Sequence, residues 1–239
     1  MKFKSIRILG FCVFLTGCAY LSKSSENDAN ASAYPAPDPE IAEKLDIYRD
    51  FLDEMVGQKV AFVEDTLRFG KPEGALNNLV ADAIRFQAAA ELRMFVNVGI
   101  IGEDSFKLYL VPGELTLGDV YEFMPYDNHL VVLTMKGAQL MEVIEQVADL
   151  GGAPISGVRF RINENGNATS VLVNAEVLDD DKEYLVATSS WTANGGDQFP
   201  ALWNSENRID LDVSMRKVFV DYFRNQVVLT ASTDGRIRQ

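Results

Sequence analysis

From Ile41 onward the apolar residues change period several times, and this switching limits the folds open to the chain. Leu45, Tyr48, Leu52 and Met55 recur at spacings of three and four with charges between them, the stripe of an amphipathic helix. Residues 59–67 alternate and predict a strand. Leu76, Leu79, Val80, Ala83 and Ile84 put a second helix over 76–92. Short strands are expected over 94–98 and 107–111, and Thr116 with Asp119 reads as a capping box opening a short helix. An apolar strand follows over 130–135. Gly137 then leads into a helix through Leu140, Val143, Ile144 and Val147 that stops at Gly151-Gly152. Residues 158–162 and 170–173 form a hairpin across Asn165-Gly166, a pair that tolerates positive φ. A strand over 184–188 precedes a last helix over 212–226, with Val218, Phe219, Tyr222 and Phe223 facing inward. Strands and helices mixed without strict alternation predict an α/β (α+β) fold: a single domain with a mixed β-sheet and flanking helices.

The N-terminus is built differently. Lys2, Lys4 and Arg7 precede a short apolar run that ends in Leu15-Thr16-Gly17-Cys18. The run is well short of the roughly 20 apolar residues a spanning helix needs, and basic, apolar, then small residues is the layout of a secretory signal. The ending resembles the lipobox of bacterial lipoproteins. Cleavage is therefore expected after residue 17, with lipid on Cys18. Ala19 rather than an aspartate after the cysteine points to the outer membrane, facing the periplasm or the cell surface. Residues 18–38 are small, polar and proline-rich and read as a flexible tether, and 39–239 as the folded domain.

Composition narrows the chemistry. The chain has two cysteines, and Cys12 leaves with the signal, so no internal disulfide can support the fold. The formal net charge of −13 repels phosphate backbones and anionic lipid, which argues against nucleic-acid binding. No zinc signature, glycine-rich phosphate loop or Ser-His-Asp arrangement is present. The single histidine, His129, opens an apolar strand and reads as a strand-edge side chain. Asp179, Asp180 and Asp181 sit where a turn is expected, and Glu103 with Asp104 reads as a loop.

Two segments stand out. Residues 118–128 and 191–200 are dense in turn formers, and each places an aromatic beside polar groups. Asn194, Gly195 and Gly196 suit a tight loop from which Asp197 can project. In these segments the chain from about 45 to 238 resembles the C-terminal, substrate-binding domain of the 5′-nucleotidases. The resemblance rests on Asn77-Asn78-Leu79-Val80-Ala81-Asp82-Ala83, Asn97-Val98-Gly99-Ile100-Ile101, Gly118-Asp119-Val120-Tyr121 with Met124-Pro125-Tyr126-Asp127-Asn128, and Ala193-Asn194-Gly195-Gly196-Asp197, in that order.

The resemblance implies that a base is held between two aromatic rings, which fall on Tyr126 and Trp191. It places the carboxylate that accepts from ribose hydroxyls on Asp197 and base-contacting amides on Asn97 and Asn128, with Gly99 in the family's glycine-rich loop. Stacking needs a flat π-face rather than one particular ring, so Tyr and Trp can serve. Two departures matter. Pro72 and Gly102 stand where the family has arginines, whose forked guanidinium suits phosphate. Lys71 and Arg85 are nearby in sequence. No segment resembles the family's N-terminal metallophosphatase domain, which carries the two catalytic metals. The expectation is thus a domain with no catalytic residues, metal or cofactor of its own. It would recognise a nucleoside or nucleotide-like molecule, alone or beside a separate metallophosphatase chain. A structural or interaction lipoprotein that has lost the site is the remaining alternative.

Overall fold

The computed structural model describes residues 38–239 except Leu108; the signal, Cys18 and the tether up to residue 37 lie outside the described residues. The chain divides at residues 46 and 47, within the first helix, α1 (Pro39–Val56). Asp38 begins α1, its Oδ1 accepting from the Glu40 N–H at 2.9 Å. The helix forms as its periodicity predicts, but none of its residues is buried. Among the described residues no helix is long and apolar enough to cross a membrane.

The second unit continues with β1 (Lys59–Val63), α2 (Ala75–Leu92), β2 (Val98–Ile100), β3 (Gly113–Thr116), α3 (Leu117–Phe123), β4 (His129–Lys136) and α4 (Gly137–Asp149). Then come β5 (Ile155–Ser156), β6 (Val158–Ile162), β7 (Ala168–Val173), β8 (Glu176–Val177), β9 (Glu183–Ser189) and α5 (Ser190–Ala193). The chain ends with β10 (Asn207–Ser214), α6 (Met215–Gln226), β11 (Val228–Leu229) and β12 (Ile237–Arg238). A five-stranded sheet of order β10-β4-β9-β2-β5 lies at the centre, with β2 parallel to β9 and the other pairs antiparallel. Smaller sheets of order β11-β1-β3 and β12-β6-β7-β8 accompany it.

The apolar run in β4 is unbroken because both of its faces are covered. Leu130 and Val132 join a core with α2, α3 and α6; Val131, Leu133 and Met135 join a second core with α4 and the β6–β7 hairpin. The capping box is present: Asp119 N–H donates to Thr116 Oγ1 at 3.3 Å and Thr116 N–H to Asp119 Oδ2 at 2.7 Å. The hairpin turns where Gly166, at φ +86°, donates to the Asn163 carbonyl.

Several boundaries differ from the sequence reading. The strand expected over 59–67 ends at Val63, leaving Leu67 an isolated bridge, and β7 begins at Ala168 rather than 170. Arg93 closes α2 in the left-handed region, so the strand expected over 94–98 begins only at Val98, where the backbone slots between β9 and β5. Among the described residues of 107–111 there is one bridge, Leu110 to Leu67, and the paired strand is β3 instead. The last helix starts at Met215, not 212. Residues 207–214 pair with β4, and the Ser214 hydroxyl caps α6 by accepting from Lys217 N–H at 3.2 Å.

Candidate functional site

The turn after β9 holds a tightly constrained stretch of backbone. The Ser189 hydroxyl accepts from Thr192 N–H at 3.1 Å and starts α5, a single turn that carries Trp191. Trp191 O then accepts from both Asn194 N–H and Gly196 N–H at 3.1 Å, folding the chain back under the indole. A Cβ on Gly196 would stand 2.4 Å from Trp191 Nε1, so the ring rests on bare backbone. Asp197 and Gln198 both have positive φ, +56° and +67°. Such angles cost about 1 kcal/mol or more for a non-glycine residue and persist only where the surroundings hold them.

At Asp197 the surroundings are three donors. Its Oδ2 accepts from Thr192 Oγ1 at 2.7 Å, from Ser105 Oγ at 2.8 Å and from Gly102 N–H at 3.2 Å. A carboxylate only accepts, so the Thr192 proton points to Asp197. Ser189 Oγ, 2.8 Å from Thr192 Oγ1, therefore donates to Thr192. The residue is 8% exposed, and its other oxygen, Oδ1, is buried with no hydrogen-bond partner. One oxygen is saturated and the other is enclosed without a partner.

Asp197 lies on a cavity of about 450 Å³ whose lining also includes Ser105, Lys107, Tyr126, Asn128 and Trp191. Tyr126 follows the buried Met124 after α3 and is 41% exposed; Trp191 is 56% exposed. Two half-exposed rings thus line one concave site. Lys107 Nζ lies 5.0 Å from the Tyr126 ring centroid, and its hydrogen bond to the phenol raises the ammonium above the ordinary lysine range. Asn128 is pinned through its carbonyl, which accepts from Met215 N–H at 2.8 Å.

The structure thus brings Tyr126, Trp191, Asp197 and Asn128 together. Asn97 and Gly99 do not line this cavity. Asn97 directs its Oδ1 to Leu185 N–H at 2.9 Å, fastening its segment to β9. Gly99 sits against α2, where a Cβ would meet Ala81 O at 2.5 Å. Ser105, Thr192 and Lys107 have no signal in the sequence; isolated hydroxyls and a lone lysine carry no pattern there. His129 Nε2 lies 2.9 Å from Asp210 Oδ1, across the β4–β10 edge. Asp179 Oδ1 accepts from Asp181 N–H, as in a solvated turn. Lys71 pairs with Glu103, and Arg85 lines a different, polar cleft. Among the described residues no three His, Cys, Asp or Glu side chains are placed to hold a metal ion.

A mixed sheet between two cores, with two half-exposed rings and a caged carboxylate at one concave site, makes this an α/β domain. Residues 59–203 match the family model "5′-nucleotidase, C-terminal domain", and the chain belongs to that family. It is 28% identical over 194 residues to the NAD 5′-nucleotidase of Haemophilus influenzae, covering 70% of this chain and 31% of that protein. It is 23% identical over 246 residues to the trifunctional nucleotide phosphoesterase YfkN of Bacillus subtilis, covering 93% of this chain and 17% of that one. The 5′-nucleotidase precursor of Thermus thermophilus superposes with a TM-score of 0.71 at 25% identity, over 84% of this chain and 43% of its own. The chain therefore spans less than half the length of each of these proteins.

Proposed function

We propose that this domain binds the flat base of a nucleoside or nucleotide between Tyr126 and Trp191, with Asp197 accepting from the ligand's hydroxyls. The observation that carries the reading is one cavity lined by two half-exposed rings and the Asp197 carboxylate. A flat base stacked on such rings gains about 1–3 kcal/mol. The family and its nucleotide-acting relatives support the ligand class. The N-terminal residue pattern supports export and lipid attachment at Cys18 on the outer membrane. Calorimetry with adenosine, AMP and other nucleosides tests the binding. Saturable heat is expected, and no binding at millimolar ligand overturns the reading. Labelled palmitate that enters the wild-type protein but not Cys18→Ala tests the anchor.

A second reading is favoured by the lack of a metal-holding cluster among the described residues. In it, this domain supplies recognition to a separate metallophosphatase chain on the same membrane, where tethering raises the effective concentration of the pair. Co-purification, and faster nucleotide hydrolysis by the pair than by the catalytic chain alone, is the expected result. Neither occurring would dismiss it.

A further inference from the structure

The described residues include seven lysines, and six of them are ion-paired with a carboxylate: Lys44, Lys59, Lys71, Lys136, Lys182 and Lys217. Lys107 is the exception, and it is the lysine that lines the aromatic cavity. In a chain of net charge −13 a carboxylate partner is easy to find, and this lysine has none among the described residues. Its ammonium instead lies against Tyr126, one of the two rings that flank the site. An ammonium carries three N–H donors. No arginine lines this cavity, and Asp104, on its rim, lies near Lys107 without pairing with it.

We infer that Lys107 reads the phosphate of a nucleoside monophosphate whose base lies between Tyr126 and Trp191. The inference rests on the binding reading above. It makes the site selective for the nucleotide over the nucleoside through one flexible point charge, in place of a guanidinium fork. A ligand stacked on Tyr126 brings its charged substituent within reach of an ammonium held over the same ring. A single solvent-accessible charge of this kind gives an advantage of about fivefold, which salt screens.

The test is calorimetry of AMP and adenosine with the wild-type protein, Lys107→Gln and Lys107→Arg, at low and high salt. Wild type is expected to bind AMP about fivefold more tightly than adenosine, with the gap closing at high salt. Lys107→Gln should bring AMP down to the affinity of adenosine and leave adenosine unchanged, and Lys107→Arg should restore the preference. Equal affinity of wild type for both ligands overturns the inference. So does Lys107→Gln weakening both ligands alike, which would make the lysine a prop for the Tyr126 ring. If the wild type binds neither ligand, the binding reading itself fails and this inference falls with it.

Discussion

A Cβ built on Gly102 stands 2.1 Å from the Cβ of Asp197. The two residues share a space that only glycine leaves open, and Gly102 N–H also donates to Asp197 Oδ2. Position 102 therefore sets where the carboxylate sits. Gly102→Ala should cost about 1–3 kcal/mol in urea unfolding, as overpacking of a buried site does, and should weaken nucleoside binding further by displacing Asp197. Gly102→Arg should lose binding rather than supply a phosphate clamp. Tighter AMP binding by Gly102→Arg at unchanged stability would show that Asp197 has another place to go.

The two rings should matter to binding and little to folding. Each is substantially exposed. Tyr126→Ala and Trp191→Ala should each remove about 1–3 kcal/mol of stacking, a loss of roughly 5- to 150-fold in adenosine affinity. Trp191→Phe should keep most of it, because a flat face remains. The Tm of each variant should shift by less than about 4 °C, the size of a 1 kcal/mol change in a domain of this length. A large drop in Tm without loss of affinity would make the rings structural.

What was legible in the sequence was whatever local chemistry decides. The Thr116–Asp119 box and the stripe of α4 each depend on residues within a few positions of one another and form as read; the hairpin turn forms too, with Glu164-Asn165 central and positive φ at Gly166 alone. β10 was missed although its signal is local: Ile209, Leu211 and Val213 alternate with Asp210 and Asp212, and the segment pairs with the edge of β4. The site divides in the same way. Trp191, Asp197, Tyr126 and Asn128 sit in motif-dense loops and come together at one cavity. Asn97 and Gly99 share the motif pattern but serve the sheet. Ser105 reaches Asp197 across 92 positions, a contact no local pattern encodes.

Asp210 gives a pH dependence with a definite sign. The Arg208 guanidinium, bonded through Nε and Nη2 at 2.8 and 2.7 Å, holds its carboxyl at about 2, against an ordinary 3.8; His129 adds a further bond. A lowered folded value means stability that is present above about pH 4 and is lost as the pH falls from there through about 2. The side chain is 48% exposed, so solvent screening reduces the contribution to about 1 kcal/mol or less. Asp210→Asn should therefore be slightly less stable than wild type at pH 6, with the difference vanishing below about pH 2. Thermal melts from pH 2 to 6 check this. A gap that widens in acid would contradict the assigned pairing.

Arg236 is the charge on which the C-terminal segment depends. Burial opposes its ionisation, yet its bonds to Asp82 and Asp234 hold it above the ordinary arginine range. Nη1 and Nη2 reach the two oxygens of Asp82 at 3.0 and 3.2 Å, Nη2 also reaches Asp234 at 3.1 Å, and Nη1 donates to the Ile155 carbonyl at 3.1 Å. One guanidinium thus joins α2, β5 and the chain end. Removing it leaves Asp82 without its cation in a half-buried place, so Arg236→Met should cost about 3–5 kcal/mol, the penalty of breaking a buried pair from one side. Arg236→Lys should recover only part, since a point charge cannot fork to two carboxylates. In the double variant Asp82→Asn with Arg236→Met no carboxylate at 82 is left to be stranded, and its cost should fall short of the sum of the two single changes. Urea unfolding of the four proteins measures that coupling. Strict additivity would mean that the packing of the long side chain, and not its charge, secures the end of the chain.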